Sequence, residues 1–237
     1  MAEEDTASSK KALPYHTETV DKRALAFIVV TCCLIESVLQ LADYGLIDQA
    51  RLRTLAYEYG GFWPGLLKSW VPNYDLQPYV MFMTYGFLHG GFLHLVVNMM
   101  TLWSLGMAVT HRVRTGGFVM IYSLSMLGGG LGFALLAPEL RPMVGASGAL
   151  FGLAGALLAW MYVDRFTHRQ GVLPVAQAVS LLVLLNLVLW WAMSGQLAWE
   201  TQLGGFITGW LAATLVDPRP APASPVPDHD HDHDHSD

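Results

Sequence analysis

A chain of 237 residues with 53% hydrophobic and only 14% charged residues departs from soluble domains, in which about 25% of residues are charged. Apolar runs account for the deficit, because a helix of about 20 apolar residues is long enough to cross a bilayer. The composition therefore excludes an ordinary soluble domain, and with a net charge of −6 no nucleic-acid partner is expected.

The chain divides into a polar N-terminal segment at 1–23, a membrane domain at 24–217 and a tail at 218–237. The first apolar run follows polar sequence and precedes no small-residue cleavage site, so it is predicted to be a membrane helix and not a signal peptide. The pattern predicts an all-α integral membrane protein with six membrane helices, at 24–42, 80–109, 117–137, 146–163, 172–194 and 202–216.

Glu36 lies in the middle of the first predicted helix, where a carboxylate is costly. It either is protonated and hydrogen-bonded to another helix or lines a wet cavity, and structural pairing is favoured. The connection that follows, 43–78, is rich in aromatic residues, which are typical of a belt at the membrane interface. These aromatic residues are Tyr57, Tyr59, Phe62, Trp63 and Trp70.

Basic residues recur on alternate sides of the predicted helices, which orients the chain. They are Lys10, Lys11, Lys22 and Arg23, then His111, Arg112 and Arg114, then Arg165, His168 and Arg169, and finally Arg219. Because positively charged connections stay in the cytoplasm, both termini are predicted to be cytoplasmic. The connections 43–78, 138–145 and 195–201 are then predicted to face outward, and a bacterial inner membrane is the expected location.

Three polar residues interrupt the second predicted helix, in the stretch FLHGGFLHLVVNMM. His94 and Asn98 are four residues apart and share a helix face, and His89 precedes them by about one and a half turns. Polar side chains within a membrane are costly unless they face the bundle interior or a wet cavity. A single histidine of this kind is usually structural, but three polar residues so close together favour a functional site.

Ser147 lies in the stretch GASGALFG, between Gly145 and Gly148. Taken alone, this stretch is typical of a packing seam, because small residues four apart let another helix approach closely. The last predicted helix carries a second such stripe at Gly205 and Gly209, and Gln202 lies one turn before it. If the two stripes pack together, Ser147 and Gln202 become neighbours near the outward surface.

The order and spacing of these motifs, H-x4-H-x3-N, G-x-S-G and Gly-x3-Gly, resemble those of the rhomboid intramembrane serine proteases, over about residues 78–217. The resemblance implies a six-helix bundle with an outward amphipathic first loop, transmembrane protein substrates and no cofactor or metal. It implies that Ser147 is the nucleophile and that its N–H forms an oxyanion hole with the side chains of His94 and Asn98. It also assigns supporting positions to His89, Gly145, Gly148, Gly205 and Gly209.

Gln202 stands where the family has its catalytic base, a histidine. A carboxamide has no useful basicity, so it cannot take the proton of Ser147. His89 is on the correct side of the membrane but on the wrong helix to replace it. The sequence favours an inactive site in a rhomboid-type protease, with a pseudoprotease that binds membrane helices without cleaving them as the alternative. An unrelated structural or transport protein is the least favoured interpretation. Gln202 is either the natural residue or an inactivating replacement.

The tail ends in DHDHDHDHSD after a proline-rich stretch. Such a segment buries too little apolar surface to fold, so residues 218–237 are predicted to form a disordered cytoplasmic tail. Alternating Asp and His are also compatible with weak binding of a divalent metal. A solvated tail without a ligand is the favoured interpretation.

Overall fold

The structure is a computed structural model that describes residues 22–216. The predictions for the tail, including weak metal binding, and for most of segment 1–23 fall outside the described residues. Within the described range the chain forms seven α-helices and two short 3-10 turns and no strand. The helices are α1 (Arg23–Asp43), α2 (Leu52–Gly60), α3 (Gln77–Thr84), α4 (Phe92–Leu136), α5 (Ser147–Thr167), α6 (Leu173–Ala192) and α7 (Trp199–Leu215).

Four of the helices in residues 22–216, namely α1, α4, α5 and α6, are long and apolar enough to cross a membrane. If straight, the 45 residues of α4 would extend about 68 Å, more than twice the hydrocarbon thickness of about 30 Å. However, Arg114 interrupts α4 with a φ of 66° and a ψ of 173°. This kink falls between the second and third predicted membrane helices. The all-α, multi-pass membrane architecture is confirmed, whereas the count of six spans stays a prediction.

The second membrane segment begins differently from the prediction. A continuous helix was expected from residue 80, but α3 ends at Thr84 and a 3-10 turn follows at Tyr85–Phe87. The chain is non-helical until α4 begins at Phe92, and Gly91 adopts a φ of 125°. Glycine reaches this conformation at little cost, which lets the chain turn before the helix. The expectation that His89 lies on the same helix as His94 is therefore wrong.

Helix α7 is held between α4 and α5 by glycines. A Cβ atom on Gly205 would overlap the carbonyl oxygen of Gly148, and one on Gly209 would overlap that of Gly152. On the other side of α7, a Cβ on Gly204 would overlap the backbone of α4. The small-residue stripes of α5 and α7 thus pack together as predicted. Only glycine, which has no side chain, lets the two helix backbones come this close.

This seam is expected to tolerate no added methyl group. Gly205→Ala should lower the free energy of unfolding by about 1–3 kcal/mol, the usual cost of overpacking. Gly116→Ala is the matched control, because a Cβ at that helical position meets no atom within 4 Å. Denaturation of both variants in detergent measures the difference. Equal stability of the two variants would contradict the close packing of α5 and α7.

The connection between α1 and α3 is folded against the bundle. Phe62 forms an isolated antiparallel bridge with Met143, with N···O distances of 2.9 and 3.0 Å. The Phe62 side chain is 0% exposed and packs edge-to-face on Phe82, Tyr85 and Phe133. The prediction of an interfacial aromatic belt is thus wrong for Phe62, which serves as a core residue. The bridge ties the first loop to the segment just before Ser147.

Candidate active site

Ser147 is the first residue of α5. Gly145, two residues earlier, adopts a φ of 122° and donates its N–H to the carbonyl of Tyr85 at 2.9 Å. The turn that leads into the serine is therefore anchored to the segment before α4. The first N–H groups of a helix have no acceptor within the helix, so the Ser147 N–H is available as a donor.

His94 and Asn98 lie against this turn. A Cβ built on Gly145 would be 2.7 Å from His94 Cε1, 3.0 Å from His94 Nε2 and 3.8 Å from Asn98 Nδ2. No side chain fits at residue 145, which explains the glycine in the G-x-S-G motif. The His94 imidazole and the Asn98 carboxamide therefore lie beside Gly145, which precedes Ser147 by two residues in the chain.

One hydrogen bond sets the tautomer of His94. The Gly90 N–H donates to His94 Nδ1 at 3.2 Å, so Nδ1 acts as the acceptor. In a neutral imidazole the other nitrogen then carries the proton, and we assign it to Nε2 on this basis. Nε2 is the nitrogen that faces Gly145, so His94 presents a donor on the side of Ser147.

Asn98 presents a second donor. Its side chain is 4% exposed, and the buried Nδ2 makes no hydrogen bond within the described residues. Leaving a buried donor unsatisfied costs about 1–3 kcal/mol, so this group calls for an explanation such as a functional role. The donors of His94 and Asn98 on α4 and of Ser147 on α5 surround one turn, and this arrangement suits the stabilisation of a developing negative charge.

His89 is a buried neighbour of His94. Its side chain is 0% exposed, and its ring packs edge-on to that of His94 at a centroid distance of 5.3 Å. Its carbonyl accepts hydrogen bonds from Tyr57 Oη at 2.7 Å and from Arg53 Nη1 at 3.1 Å. The turn that carries His89 and Gly90 is therefore held from the first loop.

Arg53 belongs to the hydrogen bonds around the His89 carbonyl, and the sequence patterns did not identify it. Its guanidinium binds both carboxylate oxygens of Glu36, at 2.9 and 3.1 Å, and the Glu36 side chain is 1% exposed. Pairing of Glu36 with another helix is thus confirmed, and the partner is a cation. Burial opposes the charge of Arg53, but hydrogen bonds with Glu36, Tyr57 and Asp43 outweigh it and raise the pKa of Arg53. The signal in the sequence was the mid-span carboxylate, which requires a cation nearby.

Gln202 lies at the start of α7 and is 5% exposed. Its neighbour Thr201 lies against the serine motif, since a Cβ on Gly148 would be 2.5 Å from Thr201 Oγ1. The two helix starts therefore adjoin, as the small-residue stripes predict. Within the described residues, however, no hydrogen bond joins the Gln202 and Ser147 side chains, and Gln202 Oε1 is buried without a partner.

An ion pair connects the segments that carry Ser147 and Gln202. Arg141, in the connection before Ser147, binds Glu200 at 2.6 Å, and Glu200 is 3% exposed. The Arg141 guanidinium also lies 5.2 Å above the Phe133 ring. Sequence reasoning missed this pair, because the two charges are 59 residues apart.

Other histidines of the described chain are far from Ser147 along their helices. His168 caps the opposite end of α5, about 30 Å away at 1.5 Å per residue. His111 is 17 residues beyond His94 in α4, which corresponds to about 25 Å. Among the described residues, the imidazoles near the site are those of His94 and His89, which are in edge contact with each other.

Comparisons with known proteins identify the family of the chain. The chain is 33% identical over 126 residues to Rhomboid protease GluP of Bacillus subtilis (strain 168), covering 53% of the chain and 24% of that protein. It is 34% identical over 134 residues to RHOMBOID-like protein 5 of Arabidopsis thaliana, covering 56% of the chain and 42% of that protein. The chain thus spans less than half the length of these two relatives. Residues 77–219, more than half of the chain, match the Rhomboid domain family model, and the chain belongs to the rhomboid family.

Proposed function

We propose that this chain has the architecture of a rhomboid-type intramembrane serine protease and that its active site is dormant. The observation that carries the proposal is Gln202, which is buried at the start of α7, where the helix adjoins the G-x-S-G motif. The resemblance to the family assigns the catalytic base to this position. Family membership supports the protease architecture, and the chemistry of the carboxamide supports the dormancy.

The proposed reaction is hydrolysis of a peptide bond in a transmembrane protein substrate. Ser147 Oγ would attack the carbonyl carbon while a base removes its proton, and the carbonyl oxygen would become an oxyanion. The donors of His94 and Asn98 suit that oxyanion, and no cofactor or metal is required. A glutamine carboxamide cannot accept the proton, so the nucleophile would stay unactivated.

A second candidate function is that of a pseudoprotease, which binds transmembrane helices without cleaving them. A cleft of about 500 Å³ between α5, α6 and α7 favours it, because Gln202 lines this cleft. Among the 20 residues of α6, Val175 alone is buried, so α6 contacts the rest of the bundle weakly. A binding role needs such space and does not need a base.

Cleavage by the unmodified chain is expected to equal that by Ser147→Ala. The test incubates both proteins in detergent with a model transmembrane substrate and quantifies the cleaved fraction. Since the nucleophile lacks a base, removal of its hydroxyl should change nothing measurable. Cleavage that disappears with Ser147→Ala would show that another group acts as the base, and the dormant-site proposal would fail.

We also propose that both termini face the cytoplasm, on the basis of the basic residues between the spans. A reporter fused after residue 217 should report the cytoplasm, and one inserted at 195–201 should report the outside. The opposite result at residue 217 would refute a topology of six spans. The relatives include bacterial and plant proteins, and the bacterial cell membrane remains the predicted location.

A further inference from the structure

One peptide group joins the first loop to the proposed oxyanion hole. The carbonyl of His89 and the N–H of Gly90 are the two ends of a single planar unit, so they cannot turn independently of each other. The carbonyl end accepts hydrogen bonds from Tyr57 Oη at 2.7 Å and from Arg53 Nη1 at 3.1 Å. The N–H end donates to His94 Nδ1 at 3.2 Å. Two side chains of the first loop therefore hold the peptide group that faces the imidazole.

Both donors are themselves fixed by residues outside this turn. Arg53 Nε donates to Asp43 at 2.6 Å, and the two terminal nitrogens bind Glu36 at 2.9 and 3.1 Å. Arg53 Nη1 also lies 3.3 Å from Tyr57 Oη. A guanidinium can only donate, so the tyrosine oxygen accepts this bond and its own proton goes to the His89 carbonyl. The orientation of the carbonyl is thus set by the pairing of α1 with α2.

The turn by itself does not fix this orientation, because two glycines follow His89. The φ of Gly90 is not positive, whereas that of Gly91 is 125°. Half a turn of the peptide group between His89 and Gly90 would reverse the sign of φ at Gly90. Glycine adopts positive φ about as readily as negative φ, so the reversed orientation is sterically permitted. The hydrogen bonds from the first loop are what oppose it.

The reversed orientation would change the chemistry of His94. A carbonyl would then face Nδ1 in place of the Gly90 N–H, and the imidazole proton would move to Nδ1 to donate to it. Nε2, the nitrogen that faces Gly145, would become an acceptor. A lone pair at that position would repel an oxyanion instead of stabilising it. The direction of one peptide group therefore decides whether His94 can act as an oxyanion donor.

We propose that Tyr57 and Arg53 are positioning residues that hold the 89–90 peptide group and thereby keep His94 a donor at Nε2. This inference rests on the proposed function, because the oxyanion hole belongs to the dormant protease site. Tyr57 and Arg53 act through His94 and not on the reacting atoms. The tautomer of His94 can be measured without catalysis, so it tests the inference in the unmodified chain.

The test measures the tautomer of His94 by NMR of the full chain in detergent micelles, with nitrogen-15 in the imidazole rings. Spectra are recorded at a pH well above about 6.5, where a free imidazole titrates, so that the ring is neutral. His94→Gln identifies the His94 signals among those of nine histidines. The unmodified chain should show the Nε2–H tautomer of His94.

Tyr57→Phe with Arg53→Lys removes both donors to the carbonyl and keeps a cation beside Glu36, because lysine lacks the fork that binds two partners. Since comparable hydrogen bonds then form in both orientations, the Nδ1–H tautomer should rise to roughly a tenth to a half of the population. Tyr59→Phe, an exposed change on the same helix, is the control and should leave the tautomer unchanged. If the double variant does not fold, Tyr57→Phe alone should raise the Nδ1–H fraction by about fivefold.

Gly90→Ala provides a rescue that separates the orientation of the peptide from a general loosening of the first loop. In the present orientation an alanine Cβ would meet His94 Nδ1 at 3.4 Å, an ordinary contact. In the reversed orientation alanine would have a positive φ, which is costly for residues other than glycine. Adding Gly90→Ala to the double variant should therefore restore the Nε2–H tautomer, whereas a loosened loop would not respond to this methyl group.

An unchanged tautomer in the variants, or a mixture that persists after Gly90→Ala, would overturn the proposal. Cleavage is a separate readout, measured with Gln202→His present. The double variant should then lower kcat in proportion to the remaining Nε2–H fraction and leave KM unchanged. A kcat that does not follow the tautomer would overturn the positioning role. If Gln202→His does not cleave, the proposed function fails, and the tautomer still decides whether Tyr57 and Arg53 hold the peptide group.

Discussion

Gln202→His is expected to raise Ser147-dependent cleavage by about 10³-fold or more. In a soluble serine protease, loss of the histidine alone costs about 10⁶-fold in turnover, because nucleophile and base act as a unit. Restoring an imidazole beside the serine motif should recover a large part of such a factor. The measurement is cleavage of a model transmembrane substrate in detergent, together with labelling by a fluorophosphonate probe.

Two controls make the gain specific. Adding Ser147→Ala to Gln202→His should abolish both cleavage and labelling, because the imidazole has no other nucleophile to activate. Gln196→His introduces the same residue in the exposed connection between α6 and α7 and should leave activity unchanged. If Gln202→His restores neither readout, the starts of α5 and α7 do not bring these side chains together productively.

Arg53→Met is expected to lower the free energy of unfolding by about 3–5 kcal/mol, the usual cost of breaking a buried ion pair. The substitution leaves the Glu36 carboxylate, 1% exposed, without its cation. It also removes the hydrogen bond from Arg53 to the His89 carbonyl, at 3.1 Å. Chemical or thermal denaturation in detergent measures the loss.

Adding Glu36→Leu to Arg53→Met should recover much of that stability, because apolar residues often replace a buried ion pair without cost. Lys68→Met is the control, since Lys68 and Glu139 form an exposed pair that contributes about 0–1 kcal/mol. A loss from Arg53→Met no larger than that from Lys68→Met would show that Glu36 does not depend on Arg53.

The elements that depend on local periodicity were predicted well. Stripes of glycine at helical spacing predicted that α5 packs on α7, and the overlap of Gly205 with Gly148 confirms it. A close helix–helix approach requires small residues at fixed intervals, so it leaves a pattern in the sequence. A mid-span carboxylate such as Glu36 likewise predicted a partner, because an unpaired charge within a membrane is costly.

The errors concern residues whose environment depends on distant segments. His89 was assigned to a helix by its spacing from His94, but Gly91 turns the chain between them. Phe62 was assigned to the membrane interface by its aromatic neighbours, but it packs in the core beside Phe133. In both cases the sequence pattern was compatible with more than one environment, and packing selected one.

Residue types at fixed spacing were enough to predict the membrane architecture, the rhomboid resemblance and the absence of a basic group at residue 202. The folded structure was needed to show that Arg53 pairs with Glu36 and that His94 and Asn98 lie against Gly145. It also decided that Asn186 and Gln202 share one apolar cleft. These contacts join segments far apart in the chain, and no local pattern specifies which of many polar residues will meet.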